Sequence, residues 1–258
     1  MSAQPIFEGV GVALLTLFTD DGELAAQATA EHAARLVEAG MGAVLVAGTT
    51  GEAAALDHEE RLDLLDAVRA ALPSRSSVPL IAGTGAPSGR QASVLTAAAC
   101  DHGADAVLAL SPPRCADPRP YYDVVAKAAG PTPVLAYHFP LASAPGLAVE
   151  ALDDLPVAGC KDSSGDPTRL FQALSHFRGS VWVGHPALTL LAGASGAAGA
   201  ILAVANVLPE RSLAALSGDA EAQRELVELH VATSGRFPAG LKERTARRYG
   251  TLGGTRVG

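Results

Sequence analysis

The chain of 258 residues carries a formal charge of −8 and is 48% hydrophobic, with charges of both signs spread along it. That length suits one α/β barrel or two small domains, one compact domain with a large core being the expectation, and the balance of charge argues against an unfolded tail or a broad basic surface for nucleic acid. No apolar run has the length of a membrane span and the first residues hold no basic segment followed by a hydrophobic stretch, so the expected location is the cytoplasm.

Short apolar runs bounded by glycine, proline or polar residues occur at 11–17, 43–47, 80–82 and 106–110, then at 134–137, 157–161, 181–184 and 199–204. Helical spacing occupies 25–39, 59–72, 88–102, 120–129 and 168–177, with stops at Gly40, Gly103 and Gly130. Alternating strands and helices imply a parallel sheet, and eight strands at even spacing favour a closed (β/α)8 TIM barrel over the alternative, an open doubly wound sheet. After Pro209 the pattern is helical only, at 221–231 and 238–249, so the expected division is a barrel over 1–218 and a short C-terminal helical extension over 219–258. Arg244, Arg247 and Arg248 near the C-terminus read as a solvated helix face. Cys100, Cys115 and Cys160 lack CxxC or Cys/His spacing, which predicts buried thiols, no disulfide scaffold and no metal.

In such barrels the chemistry sits at the C-terminal ends of the strands. Lys161 ends an apolar strand and is one of three lysines; Lys127 and Lys242 fall in helical segments, where a solvated amine is ordinary. Burial favours a lysine's neutral amine, the form that attacks a carbonyl, so Lys161 is a candidate nucleophile. The other reading is a lysine that reaches the barrel mouth and pairs with Asp162 or another acid. Side chains alternate along a strand, so Cys160 points away from Lys161 and is a poor nucleophile. Tyr137 ends the preceding strand, where a phenol can relay protons to a carbinolamine or aldol oxygen, or simply be an interior tyrosine held by one hydrogen bond. His138 should face the other way and be structural. Gly48-Thr49-Thr50-Gly51-Glu52 follows the second strand, across the barrel from Lys161. Its glycines permit a tight turn with free amides and its hydroxyls suit a carboxylate or phosphate, but it is neither a P-loop nor a dinucleotide fingerprint.

Taken in order, that loop, Ala82-Gly83-Thr84-Gly85, Tyr137-His138-Phe139-Pro140 and Lys161-Asp162-Ser163-Ser164-Gly165-Asp166 resemble the dihydrodipicolinate synthase and N-acetylneuraminate lyase family, and the likeness covers nearly the whole chain. The resemblance implies a cofactor-independent class I aldolase in which Lys161 forms a Schiff base with a 2-oxo acid such as pyruvate. Tyr137 is then the proton relay, and Thr49 and Thr50 receive the oxo-acid carboxylate. Gly48 and Ser163 complete the expected substrate-binding set, together with Arg114 and Arg119 as replacement charges in the loop after the fourth strand.

The chain departs from the family's pattern at several points. Arg114-Cys115 stands where the family commonly has two tyrosines, one of them completing a proton relay across a subunit interface. Leu141-Ala142-Ser143 stands where dipicolinate-forming members carry an arginine, and Gly184-His185-Pro186 where an acidic pair is frequent. The expectation is therefore an aldolase or lyase acting on a 2-keto-3-deoxy sugar acid or similar hydroxy-oxo acid. The alternatives are 4-hydroxy-tetrahydrodipicolinate synthase activity and a catalytically silent barrel that binds an oxo acid. Expected partners are a small 2-oxo acid and an aldehyde, with no nucleic acid and no membrane. A homo-oligomer, dimer or tetramer, is expected, and the shortened C-terminal region bears on which.

Overall fold

The computed structural model of the protein describes residues 4–72 and 78–257; Met1, Ser2, Ala3, Gly258 and residues 73–77, which the two expected regions include, lie outside them. The strands are β1 (Gly9–Ala13), β2 (Ala43–Val46), β3 (Leu80–Gly83), β4 (Ala106–Leu110), β5 (Val134–His138), β6 (Gly159–Asp162), β7 (Ser180–Val183) and β8 (Gly199–Leu202). Every pairing is parallel, and β1 closes on β8 from Gly9 opposite Gly199 to Val12 opposite Leu202. That closure removes the open-sheet alternative.

The helices are α1 (Ala26–Glu38), α2 (His58–Ala71), α3 (Gly89–Asp101), α4 (Arg119–Ala129), α5 (Pro167–His176), α6 (Thr189–Ser195) and α7 (Pro209–Leu216), followed by α8 (Ala220–Ser234) and α9 (Ala239–Tyr249). Between β5 and β6 the chain makes only a short 3-10 turn, Leu152–Asp154. None of the helices among the described residues is long and apolar enough to cross a membrane.

The two-residue period of the strands divides the core into two layers. Residues such as Val44, Val107, Ala136 and Cys160 point outward and pack under the helices. Leu45, Ile81, Leu108, Leu135 and Trp182 point inward and fill the barrel, each contributing on the order of 1.5 to 3 kcal/mol by leaving water. Phe7, just before β1, folds into this interior and stacks on Trp182 with ring centroids 5.3 Å apart.

The first strand is shifted from its expected span of 11–17. Beyond Ala13 the backbone leaves the ladder because its amides find side-chain acceptors, Leu15 N–H donating to Asn206 Oδ1 at 3.1 Å and Leu17 N–H to Thr29 Oγ1 at 3.0 Å. Hydropathy does not distinguish these buried residues from a strand.

Candidate active site

Alternation along β6 turns Cys160 outward and Lys161 inward. In the outer layer, burial pushes the Cys160 thiol up to about 12, with Asp162 adding to the shift, so it is not a nucleophile at neutral pH. Gly159 has no side chain for a reason: a Cβ there would stand 2.6 Å from both Ser180 O and the Trp182 ring.

Tyr137 lies opposite Lys161 in the β5–β6 pairing, so two inward side chains meet at the barrel's C-terminal end. Both are nearly buried, and Lys161 Nζ sits 4.6 Å from the centroid of the Tyr137 ring. Asp162 is not its partner. The Asp162 carboxylate accepts from Arg169 Nε at 2.6 Å and from the Ser164 amide at 2.8 Å. Asp166 caps α5 by accepting from the Thr168 and Arg169 amides, which places Arg169 one turn from Asp162. The amine therefore faces an aromatic ring rather than a carboxylate.

Ser163 Oγ lies 3.5 Å from the Tyr137 hydroxyl, to which it donates. Gly184, at the end of β7, makes room for the group: a Cβ there would collide with Ser163 Oγ and stand 2.9 Å from Lys161 Cε. Sequence reading gave Gly184 no role, because the constraint comes from side chains on another strand.

His138 faces outward, as expected. Its Nδ1 accepts from the Leu147 amide at 2.9 Å, and burial, reinforced by Arg169, lowers its pKa to about 4. His32, also buried, is lowered to about 4 by desolvation first and Arg35 second. Both imidazoles are neutral in the fold and take up protons only when it opens, so their contribution is complete above the unfolded value of about 6.5 and is lost as pH falls toward about 4. Urea midpoints should fall between pH 7.5 and 5.5, and His138→Asn should flatten the slope; an unchanged slope would remove His138 as a source.

The loop after β2 begins at Ala47, whose φ of 49° is left-handed. Its carbonyl presses on Gly83 so closely that a Cβ there would collide with it. Thr16 Oγ1 donates to Gly51 O at 2.7 Å, and the Gly51 and Ala53 amides both turn back to Gly48 O. Thr50 is buried and Thr49 exposed. Gly48, Thr49 and Tyr137 line one cleft of about 840 Å³. Its lining also includes Arg61 and Arg90, from the first turns of α2 and α3, which sequence reading did not single out; the Arg61 guanidinium donates to Gly83 O at 3.3 Å and to Ala53 O.

Of the expected site residues, Lys161, Thr50, Ser163, Arg114 and Arg119 are not among those lining this cleft. Arg114 is exposed and left-handed, its amide donating to Ala144 O at 2.6 Å. Arg119 is held by Asp123 Oδ1 at 3.0 Å and by the Asp154 carbonyl. Two tyrosines do occur on α4, but their hydroxyls hold backbone: Tyr121 donates to Leu110 O at 3.0 Å and Tyr122 to Ala109 O at 2.8 Å.

Lys242 differs from its expected solvated position. It is fully buried and ion-paired with Glu52 of the loop after β2, its Nζ lying 4.4 Å from the centroid of the Phe18 ring. Burial lowers its pKa, and the Glu52 carboxylate opposes that shift.

Residues 6–245 match the model of the dihydrodipicolinate synthetase family. The chain is 35% identical over 235 residues to a 4-hydroxy-tetrahydrodipicolinate synthase of Natronomonas pharaonis, an alignment covering 85% of this chain and 79% of that one. It is 34% identical over 230 residues to a probable mitochondrial 4-hydroxy-2-oxoglutarate aldolase of Emericella nidulans, covering 81% and 72%. A crystal structure of dihydrodipicolinate synthase from Bacillus anthracis aligns with a TM-score of 0.87 and 25% identity, over 98% of this chain and 92% of that one.

Proposed function

The chain belongs to the dihydrodipicolinate synthetase family of Schiff-base lyases and aldolases, and on that premise we propose that it cleaves or forms the carbon-carbon bond of a 2-keto-3-deoxy sugar acid or similar hydroxy-oxo acid. The observation that carries the reading is the buried amine of Lys161 against the ring of Tyr137 at the barrel's C-terminal end. The neutral amine of Lys161 attacks the C2 carbonyl, and the Tyr137 hydroxyl gives its proton to the oxygen that leaves as water, so that a protonated imine and a Tyr137 phenolate result. In cleavage, the electron pair of the C3–C4 bond moves into the imine to form an enamine. The C4 hydroxyl proton passes to the Tyr137 phenolate and the aldehyde departs. Protonation at C3 and hydrolysis then release pyruvate.

The oxo-acid carboxylate is assigned to the Gly48-Thr49-Thr50 turn. In support, the amides of Thr49 and Thr50 donate to no acceptor among the described residues. The preference for a sugar acid over aspartate semialdehyde rests on the stretch after Pro140. Leu141 is 89% exposed, Ala142 lines the cleft, and Ser143 Oγ donates to Ser111 O at 2.6 Å, so the stretch offers no cation to a second carboxylate. Absence of such a charge-assisted contact costs about 1.5 to 3 kcal/mol. The synthase reading draws on the name of the Natronomonas relative and on Arg61 and Arg90 in the cleft wall. An oligomer is retained in the proposal: Val94 of α3 and Val124 of α4 are 55% and 40% exposed and give a second copy apolar surface to cover.

The test is a comparison of pyruvate release from 2-keto-3-deoxy sugar acids with condensation of pyruvate and aspartate semialdehyde. Faster release from the sugar acids is the expected result. Efficient condensation with no sugar-acid cleavage would assign the synthase instead, and pyruvate binding without turnover of any pair would leave a silent oxo-acid-binding barrel.

A further inference from the structure

Residues 251–257 run back over the loop that follows β2, and Glu52 is the point of attachment. Glu52 Oε1 pairs with Lys242, while Oε2 accepts from the amides of Arg256 at 2.8 Å and Val257 at 3.0 Å. Lys242 in turn donates to Gly254 O at 2.7 Å, so the carboxylate and the ammonium hold the same segment from two sides. The Arg256 guanidinium makes a bidentate pair with Glu60 at 2.6 and 2.7 Å and donates to Ala55 O at 2.9 Å and Gly22 O at 2.6 Å. Lys242 and Arg256 both lie 4.4 Å from the centroid of the Phe18 ring. Gly254 has room only as glycine, since a Cβ would collide with Thr19 O.

This assembly bears on the site because Glu52 is the last residue of the Gly48-Thr49-Thr50-Gly51-Glu52 turn and is itself left-handed, with φ of 54°. Its amide donates to Thr49 O at 3.2 Å, so the orientation of Glu52 is coupled to that of the threonine. Val257, just past Arg256, lines the same cleft as Thr49 and Tyr137. A buried, fully paired carboxylate on a left-handed residue is a demanding way to secure a loop, and a hydrophobic contact would serve if the loop had only to be covered.

We propose that Glu52 and Arg256 are positioning residues, which fasten residues 254–257 onto the turn after β2 and thereby set the Thr49-Thr50 geometry that binds the oxo-acid carboxylate. The proposal rests on the assignment of that turn to the carboxylate. Neither residue touches the reacting atoms; both act through the turn.

Two readouts separate this role from a purely structural one. In Arg256→Ala, the pyruvate concentration that half-saturates borohydride trapping should rise by about 10- to 100-fold, the scale on which small misplacements at a site are felt, while the trapping rate at saturation holds. Arg256→Lys should recover part of the loss. Without any ligand, amide hydrogen exchange at residues 49–53 should quicken in Arg256→Ala. The double variant Glu52→Gln/Lys242→Met removes the buried charges together and should give the same pattern without stranding an ammonium. Unchanged exchange at 49–53 in both variants would overturn the proposal, as would faster exchange with an unchanged half-saturating concentration. If the unaltered protein traps no pyruvate, the Schiff-base reading fails separately, and the exchange comparison still decides whether the segment holds the turn.

Discussion

Lys161→Met is expected to lower turnover by a factor on the order of 10⁴ to 10⁶, the range seen when a covalent nucleophile is removed. The substitution keeps the length and packing of the side chain and removes only the amine. The loss should appear in kcat, because no imine can form however well the oxo acid binds. Stability should hold or rise, since a buried amine facing a ring gives way to an apolar chain of similar shape. Full turnover in Lys161→Met with an unchanged melting profile would move the chemistry elsewhere in the barrel.

Tyr137→Phe is expected to keep the fold and much of the affinity for pyruvate while slowing turnover by about 10² to 10⁴, the contribution of a positioned acid-base group. The ring that stacks on Phe139 at 5.7 Å and faces Lys161 is retained, so only the hydroxyl is tested. Formation and cleavage of the carbon-carbon bond should suffer most, because the proton of the C4 hydroxyl then has no side-chain acceptor at this position. Ser163 Oγ is the neighbouring hydroxyl, at 3.5 Å from that of Tyr137. If Tyr137→Phe turned over normally and Ser163→Ala did not, the relay would belong to Ser163.

The barrel was legible because its signals are local. Short apolar runs alternating with helical spacing are written within ten or fifteen residues, and the observed helices α1 to α5 start and stop within one or two residues of their expected ends. The inward placement of Lys161 and Tyr137 was legible for the same reason, since each stands one residue from the end of its strand and strand parity sets which neighbours share its side. What escaped is long-range. Glu52 and Lys242 are 190 residues apart, and the helix holding Lys242 is rich in charge, so nothing local marks it as buried. Gly184 is an ordinary strand-end glycine until Ser163 and Lys161 are set beside it. Arg119 was proposed from its place in the loop after the fourth strand, but Asp123, one helical turn on, takes its guanidinium. Arg61 and Arg90 line the cleft instead.

Borohydride reduction in the presence of pyruvate, followed by peptide mass analysis, decides whether Lys161 forms the imine, because a reducible imine becomes a permanent adduct and a noncovalent complex does not. The peptide containing Lys161 should gain a carboxyethyl group on the lysine nitrogen, water having left when the imine formed, and Lys161→Met should gain none. A label on Lys127 or Lys242, or no label at saturating pyruvate, would contradict that assignment.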